Sequence, residues 1–176
     1  MMVALIRTKK RIRPLTQEDV TTLMQWSQDP ELQRLTGRTF PSEKDGALWW
    51  HAVERDPTRL AMAILDDDGQ FIGDVELENV AWRAGEAELR IAIGEKSCWN
   101  RGYGTEALSE MAQIAFKELH LHSLYLRVSE RNVRAIRSYH KAGFRKVARL
   151  SATGRLQGGD PLVLMRRTRV DVEETP

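Results

Sequence analysis

The stretch Trp99-Asn100-Arg101-Gly102-Tyr103-Gly104-Thr105-Glu106-Ala107-Leu108 decides how this chain is read. Two glycines, two apart, stand between a strand-like run at Glu86–Ile93 and a helix-like run at 104–119. In the helical run Ala107, Leu108, Met111, Ile114, Ala115 and Leu119 recur at helical spacing. A helix start leaves backbone N–H groups without partners at the positive end of its dipole, which is a ready seat for phosphate. The stretch therefore predicts a phosphate-bearing cofactor. Gly102-x-Gly104-x-x-Ala107 also satisfies the dinucleotide fingerprint, and Glu130 stands near the end of the next strand, where a ribose-binding acid belongs. The surroundings argue against that reading. A dinucleotide fold needs repeated right-handed βαβ units and a tight first turn. Here a meander precedes the glycines and residues 94–101 make a long loop.

Working outward, residues 4–13 read as a strand ended by Pro14. Thr16 can cap a helix over 17–28, and Ser42 a second over 43–55 that carries Trp49 and Trp50, with a polar loop between them. Strands follow over 59–65, 70–82 and 86–93, joined by the turns Asp68-Gly69 and 83–85, so the middle of the chain is an antiparallel meander. Residues 124–128 form a strand. Asn132 caps a helix over 133–142 with Gly143 as its C′ residue, and strands at 144–152 and 161–169 close the chain. The expected order is β-α-α-β-β-β-α-β-α-β-β, an α/β fold with a mixed, mostly antiparallel sheet covered by helices.

Three segments in order carry a resemblance. Glu88-Leu89-Arg90-Ile91-Ala92-Ile93 followed by Gly102-Tyr103-Gly104-Thr105-Glu106-Ala107-Leu108 resembles the central motif of the GNAT superfamily of N-acetyltransferases, Q/R-x-x-G-x-G/A. Asn132-Val133-Arg134-Ala135-Ile136-Arg137-Ser138-Tyr139-His140-Lys141-Ala142-Gly143-Phe144 resembles that superfamily's N-x-x-A-x-x-x-Y-x-x-x-G-F segment. Phe71-Ile72-Gly73 and Asp160-Pro161-Leu162-Val163-Leu164-Met165 look like the Rim-type branch, which acetylates protein N-termini, and the related spermidine acetyltransferases. Trp99 departs from the Gln or Arg of the motif in the same direction. The resemblance runs over about 10–168 and implies one N-acetyltransferase domain spanning 1–176, with its sheet splayed at the acetyl-CoA site.

What the resemblance implies for residues is specific. Backbone N–H groups of Asn100, Arg101, Gly102, Tyr103, Gly104 and Thr105 hold the CoA pyrophosphate, glycine standing where backbone approaches an anion closely. The edge of Ile91, Ala92 and Ile93 pairs with the pantetheine arm, and an N–H near Ile91 steadies the oxyanion. Asn132 contacts CoA as well as capping its helix. Tyr139, on the same helix face as Asn132 and Ala135, protonates the leaving thiolate; the simpler reading is a core tyrosine bonded to backbone. Strand alternation puts Glu88, Arg90 and Ala92 on one face and Leu89, Ile91 and Ile93 on the other. Glu88 is therefore the expected general base, unless it merely pairs with Arg90 or faces solvent. Glu76 and Glu78 are weaker alternatives.

The rest of the chain bounds these expectations. With 176 residues, 41% apolar and 30% charged, it has the composition of a soluble globular protein that can bury a core. A net charge of +2 does not point to nucleic acid, and Arg7, Lys9, Lys10, Arg11 and Arg13 read as the solvated face of a strand. Neither a signal segment nor a transmembrane run is legible, and Cys98 stands alone, so the expectation is a cytoplasmic enzyme without membrane contact. His120 and His122 lack partners at ligand spacing, so no metal is expected. Cys98 reads as a loop thiol. Trp49 and Trp50 cannot both face the core of one helix; an amphipathic packing role is the preferred reading, with an acceptor site or a subunit contact for one of them as the alternative. The acceptor is expected to be a protein N-terminus or, second, a polyamine or other small amine, for which Asp66, Asp67, Asp68, Glu76, Glu78, Glu86 and Glu88 would suit a cation. A lapsed acyl-CoA-binding module is the non-enzymatic alternative. Nothing in the pattern excludes a homodimer.

Overall fold

The computed structural model describes residues 10–150 and 161–170. One sheet of seven strands organises them, in the order β1-β2-β3-β4-β5-β7-β6. The strands are β1 (Ile12–Pro14), β2 (Leu60–Leu65), β3 (Phe71–Ala81), β4 (Glu86–Ile93), β5 (Ser123–Ser129), β6 (Arg145–Leu150) and β7 (Leu162–Thr168). Every pairing is antiparallel except β4 with β5. The helices are α1 (Gln17–Trp26), α2 (Pro30–Thr36), α3 (Glu43–Arg55), α4 (Tyr103–Gln113) and α5 (Val133–Lys141). This is the expected mixed α/β architecture.

Alternation along the strands builds two cores. Met62, Ile64, Val75, Leu77, Leu89, Leu124, Leu126, Val163 and Met165 meet Ala107, Leu108, Met111 and Phe116 on the face covered by α4 and α5. Ala61 and Ala63, of opposite parity, join Leu15, Leu23, Phe40 and Val53 under α1 and α3. Trp49 and Trp50 both pack against this second cluster, so the expectation that only one could do so is corrected. Trp49 meets Phe40 edge-on at 5.6 Å.

Several expectations change in detail. The loop after α1 contains α2, started by the Asp29 carboxylate on the N–H groups of Glu31 and Leu32, with Pro30 in its first turn. The expected helix 104–119 is α4 followed by a π-helical segment, Ile114–Glu118, where the Leu119 N–H reaches back five residues to the Ile114 carbonyl. Arg11 is not on a solvated face. It is 7% exposed, and its guanidinium binds Glu106, Asp67 and the Leu65 carbonyl, fastening the start of the sheet to α4. Arg7, Lys9, Asp160 and the outer parts of the strands expected at 4–13 and 144–152 lie outside the described residues.

Candidate active site

The sheet opens at one place. β4 and β5 are in register only from Glu86↔Ser123 to Glu88↔Tyr125, although β4 continues to Ile93 and β5 to Ser129. Beyond Glu88 the strands part, and one edge of β4 has no neighbour. The Gly94 N–H bonds to Ile72 on β3, and a Cβ on Gly73 would run into the Ala92 carbonyl, so Ala92 turns its backbone toward β3. Alternation therefore turns the N–H and C=O of Ile91 and Ile93 into the gap. Of the expected edge residues, Ala92 is thus corrected: its backbone is not part of the open edge. The Ile93 carbonyl already accepts a bond from Trp99 Nε1 at 2.8 Å.

The glycine loop closes one end of the gap. Asn100 (φ 61°) and Gly102 (φ 90°) take the left-handed conformation that brings the chain into α4. Gly102 is the N-cap and offers no side chain, whereas α2, α3 and α5 are capped by Asp29, Ser42 and Asn132. The first N–H groups of α4, at Tyr103, Gly104 and Thr105, therefore have neither an intrahelical nor a side-chain acceptor. A Cβ on Gly104 would meet only Ile91 Cδ1 and Ile93 Cγ1, both at an ordinary 3.9 Å. Packing within the protein does not require glycine there.

On the far side of the gap, Asn132 Oδ1 accepts from the Ala135 N–H at 3.2 Å and starts α5. Tyr139, one and two turns further on the same face, is 8% exposed and lies edge-on to Phe144 at 6.2 Å. Its hydroxyl has no hydrogen-bond partner among the described residues, so the simpler reading of a tyrosine bonded to backbone does not hold. Burial pushes the phenol up to about 12, against a small opposing pull from Arg90.

Glu88 sits at the fork itself, on the last register pair before the strands part. It is 5% exposed, and Arg127 Nε and Nη2 hold both of its oxygens at 2.8–2.9 Å. Its partner is neither Arg90 nor solvent. Leu89 and Tyr139 share one core cluster, so strand alternation puts Glu88 on the opposite face of the sheet from Tyr139. The other acids on the Glu88 face are also held by arginines. Asp74 receives two bonds from Arg38, Glu76 one each from Arg38 and Arg59, Glu78 contacts Arg59 and Arg90, and Glu86 lies 3.6 Å from Arg166. Glu76 is fully buried, and burial raises its carboxyl despite the two guanidiniums. The partner arginines escaped sequence reasoning because the pairs span 36, 38 and 39 residues. Of the hairpin acids that would suit a cation, Asp66 accepts from the turn N–H groups of Asp68 and Gln70, and Asp67 from the Arg11 guanidinium. Glu130 is taken by Arg149 at 3.0 Å.

Comparison with known proteins agrees with this geometry. Residues 10–145 match the family described as Acetyltransferase (GNAT) domain. Human α/β-tubulin-N-acetyltransferase 9 is 29% identical over 164 residues, covering 82% of this chain and 76% of that protein. An uncharacterized N-acetyltransferase, p20, from Bacillus licheniformis is 24% identical over 88% of this chain and 92% of its own length. The spermidine N-acetyltransferase of Vibrio cholerae, solved with CoA and spermine, shares the fold at a TM-score of 0.84 and 19% identity, over 93% of this chain and 97% of that one. A parted β4–β5 pair, an uncapped glycine-led helix beside it and a family match over residues 10–145 lead to one conclusion: this chain belongs to the GNAT acetyltransferase family.

Proposed function

We propose that the chain moves acetyl from acetyl-CoA to the α-amino group of a polypeptide, by direct attack in a ternary complex and within a single domain. One observation carries the choice of acceptor. Asp74, Glu76, Glu78, Glu86 and Glu88, the acids that could have gathered a polycation, are each engaged by arginine. The face they share is electrically balanced, which suits a single amine better than a chain of ammonium groups. A protein acceptor is also what the name of the human tubulin-acetylating relative prints for that protein.

The residues divide the work as follows. The uncapped N–H groups of Tyr103, Gly104 and Thr105, with those of Asn100, Arg101 and Gly102, receive the donor pyrophosphate. The open edge at Ile91 and Ile93 pairs with the amides of the pantetheine arm. The Ile91 N–H points into the gap and steadies the negative charge that develops on the thioester oxygen. Glu88, held in place by Arg127, takes the acceptor proton through water. Tyr139, neutral at any working pH, gives its proton to the departing thiolate, and Asn132 fixes the start of the helix that carries it.

The test is thiol release from acetyl-CoA in the presence of peptides with free N-termini, N-blocked peptides carrying lysine, spermidine and spermine, with the acetylated atom located by mass spectrometry. Free N-terminal peptides are expected to show the highest kcat/KM. A higher value for spermidine overturns the acceptor. Binding of acetyl-CoA without thiol release from any amine overturns the transferase and leaves a binding module.

A further inference from the structure

Resting on the donor reading above, we propose that Arg134 is a ligand for a donor phosphate, held ready on the indole of Trp99. Trp99 stands where the family motif carries Gln or Arg, immediately before the loop of Asn100 to Gly104. Its Nε1 is tied to the Ile93 carbonyl at 2.8 Å, which fixes the ring at the mouth of the gap. From the other side, the second residue of α5 crosses to it: the Arg134 guanidinium carbon lies 3.6 Å from the ring centroid. The indole thus joins the end of β4 to the start of α5, and it holds a cation on the residue that leads into the glycine loop before α4.

Arg134 is held by a ring and not by a carboxylate. Arg11, Arg13, Arg38, Arg59, Arg90, Arg127, Arg149 and Arg166 are each paired with a carboxylate. Among the described residues Arg134 has no such partner, and Glu130, the acid nearest to it in sequence, is occupied by Arg149 and Lys146. Stacking on an aromatic face orients a guanidinium without using its N–H donors, which lie in its plane. A carboxylate partner would have taken those donors and cancelled the charge. The arrangement suits a planar fork meant for an anion that arrives from solution. It also accounts for Trp99: the charge absent from position 99 is supplied from α5, and the indole is what brings it there.

The measurement compares two donors that share the reacting end. Acetyl-CoA carries phosphates; acetyl-pantetheine carries none. For Arg134→Ala, kcat/KM with acetyl-CoA is expected to fall about tenfold or more, with kcat/KM for acetyl-pantetheine unchanged. Calorimetric titration with CoA should show a matching loss of affinity without any turnover. Equal losses on both donors, or no loss on either, overturn the assignment. Should Arg134→Ala melt early, Arg134→Lys carries the test, because it keeps the charge and loses the fork; the same donor-dependent split is expected at smaller size, and its absence is equally fatal. If the unaltered protein fails to bind CoA in the titration, the donor reading itself falls, a result distinct from failure of the Arg134 assignment.

Discussion

A phenol raised to about 12 by burial, with no hydrogen-bond partner among the described residues, makes Tyr139 the residue with the most distinctive signature. It remains protonated across the working range of pH, as a proton donor to a thiolate must. Tyr139→Phe is expected to lower kcat by about 100-fold while leaving the KM for acetyl-CoA near its original value. Steady-state kinetics check both, and an unchanged kcat removes Tyr139 from its role. The same group leaves a mark on stability. Tyrosine titrates at 10.0 before burial, so the unfolded chain loses this proton first. The associated stability is whole below about pH 10 and is lost as pH rises toward 12, by roughly 2–3 kcal/mol at most. Urea titrations of the two proteins between pH 9 and 12 should converge at the lower end and diverge at the upper, with Tyr139→Phe the more stable. At neutral pH the substitution should cost little, because the lost hydroxyl leaves no abandoned partner.

Among the elements, α4 separates what folding needs from what a ligand needs. Gly102 is held at φ 90°, so an alanine there is strained whatever the space around it. Gly104 is inside the first turn, and a Cβ there meets nothing closer than 3.9 Å. Gly104→Ala is therefore expected to keep or raise the melting temperature, gaining up to about 1 kcal/mol from helix propensity. It should nonetheless weaken CoA binding by covering the N–H groups. Gly102→Ala should instead lose about 1 kcal/mol or more. Thermal melts with and without CoA distinguish the two; a loss of stability at Gly104→Ala equal to that at Gly102→Ala would show that its glycine serves the fold. The elements also show where periodicity runs out. The apolar spacing over 104–119 was legible, but one extra residue in the backbone turn at Ile114–Glu118 leaves the side-chain pattern almost unchanged, so the π segment was not. The helix Pro30–Thr36 carried its start signals in Asp29 and Pro30, yet seven mostly polar residues give no periodic stripe to read.

For the molecule as a whole, the arginine–carboxylate network under α1 and α3 binds segments far apart in the chain. Arg38 follows the end of α2, holds Asp74 and Glu76 on β3 and lies 5.1 Å from the centre of the Trp49 ring on α3. The Asp74 and Glu76 side chains are almost fully buried, at 3% and 1% exposure. Arg38→Met takes from buried Asp74 its arginine and leaves buried Glu76 with Arg59 alone, and is expected to destabilise the fold by about 3–5 kcal/mol. A urea midpoint shows it, and an unchanged midpoint would mean that Arg59 alone suffices. The network also decides how the face can be used, since charges satisfied within the protein are not offered to a substrate.

The sequence by itself determined the type and order of most elements, the glycine-led helix start and the three motifs that place the chain among the GNAT acetyltransferases. These are local signals, set by hydrophobic period, caps and the φ freedom of glycine within a few residues. Only the tertiary structure decided where β4 and β5 part, which of Ile91, Ala92 and Ile93 faces the gap, that Glu88 is held by Arg127 and that Trp99 carries Arg134. Ion pairs and stacking join residues tens of positions apart, and the physical reason they escape the sequence is plain. A charged side chain reads the same whether water or a buried partner satisfies it, and only the packed chain chooses between them.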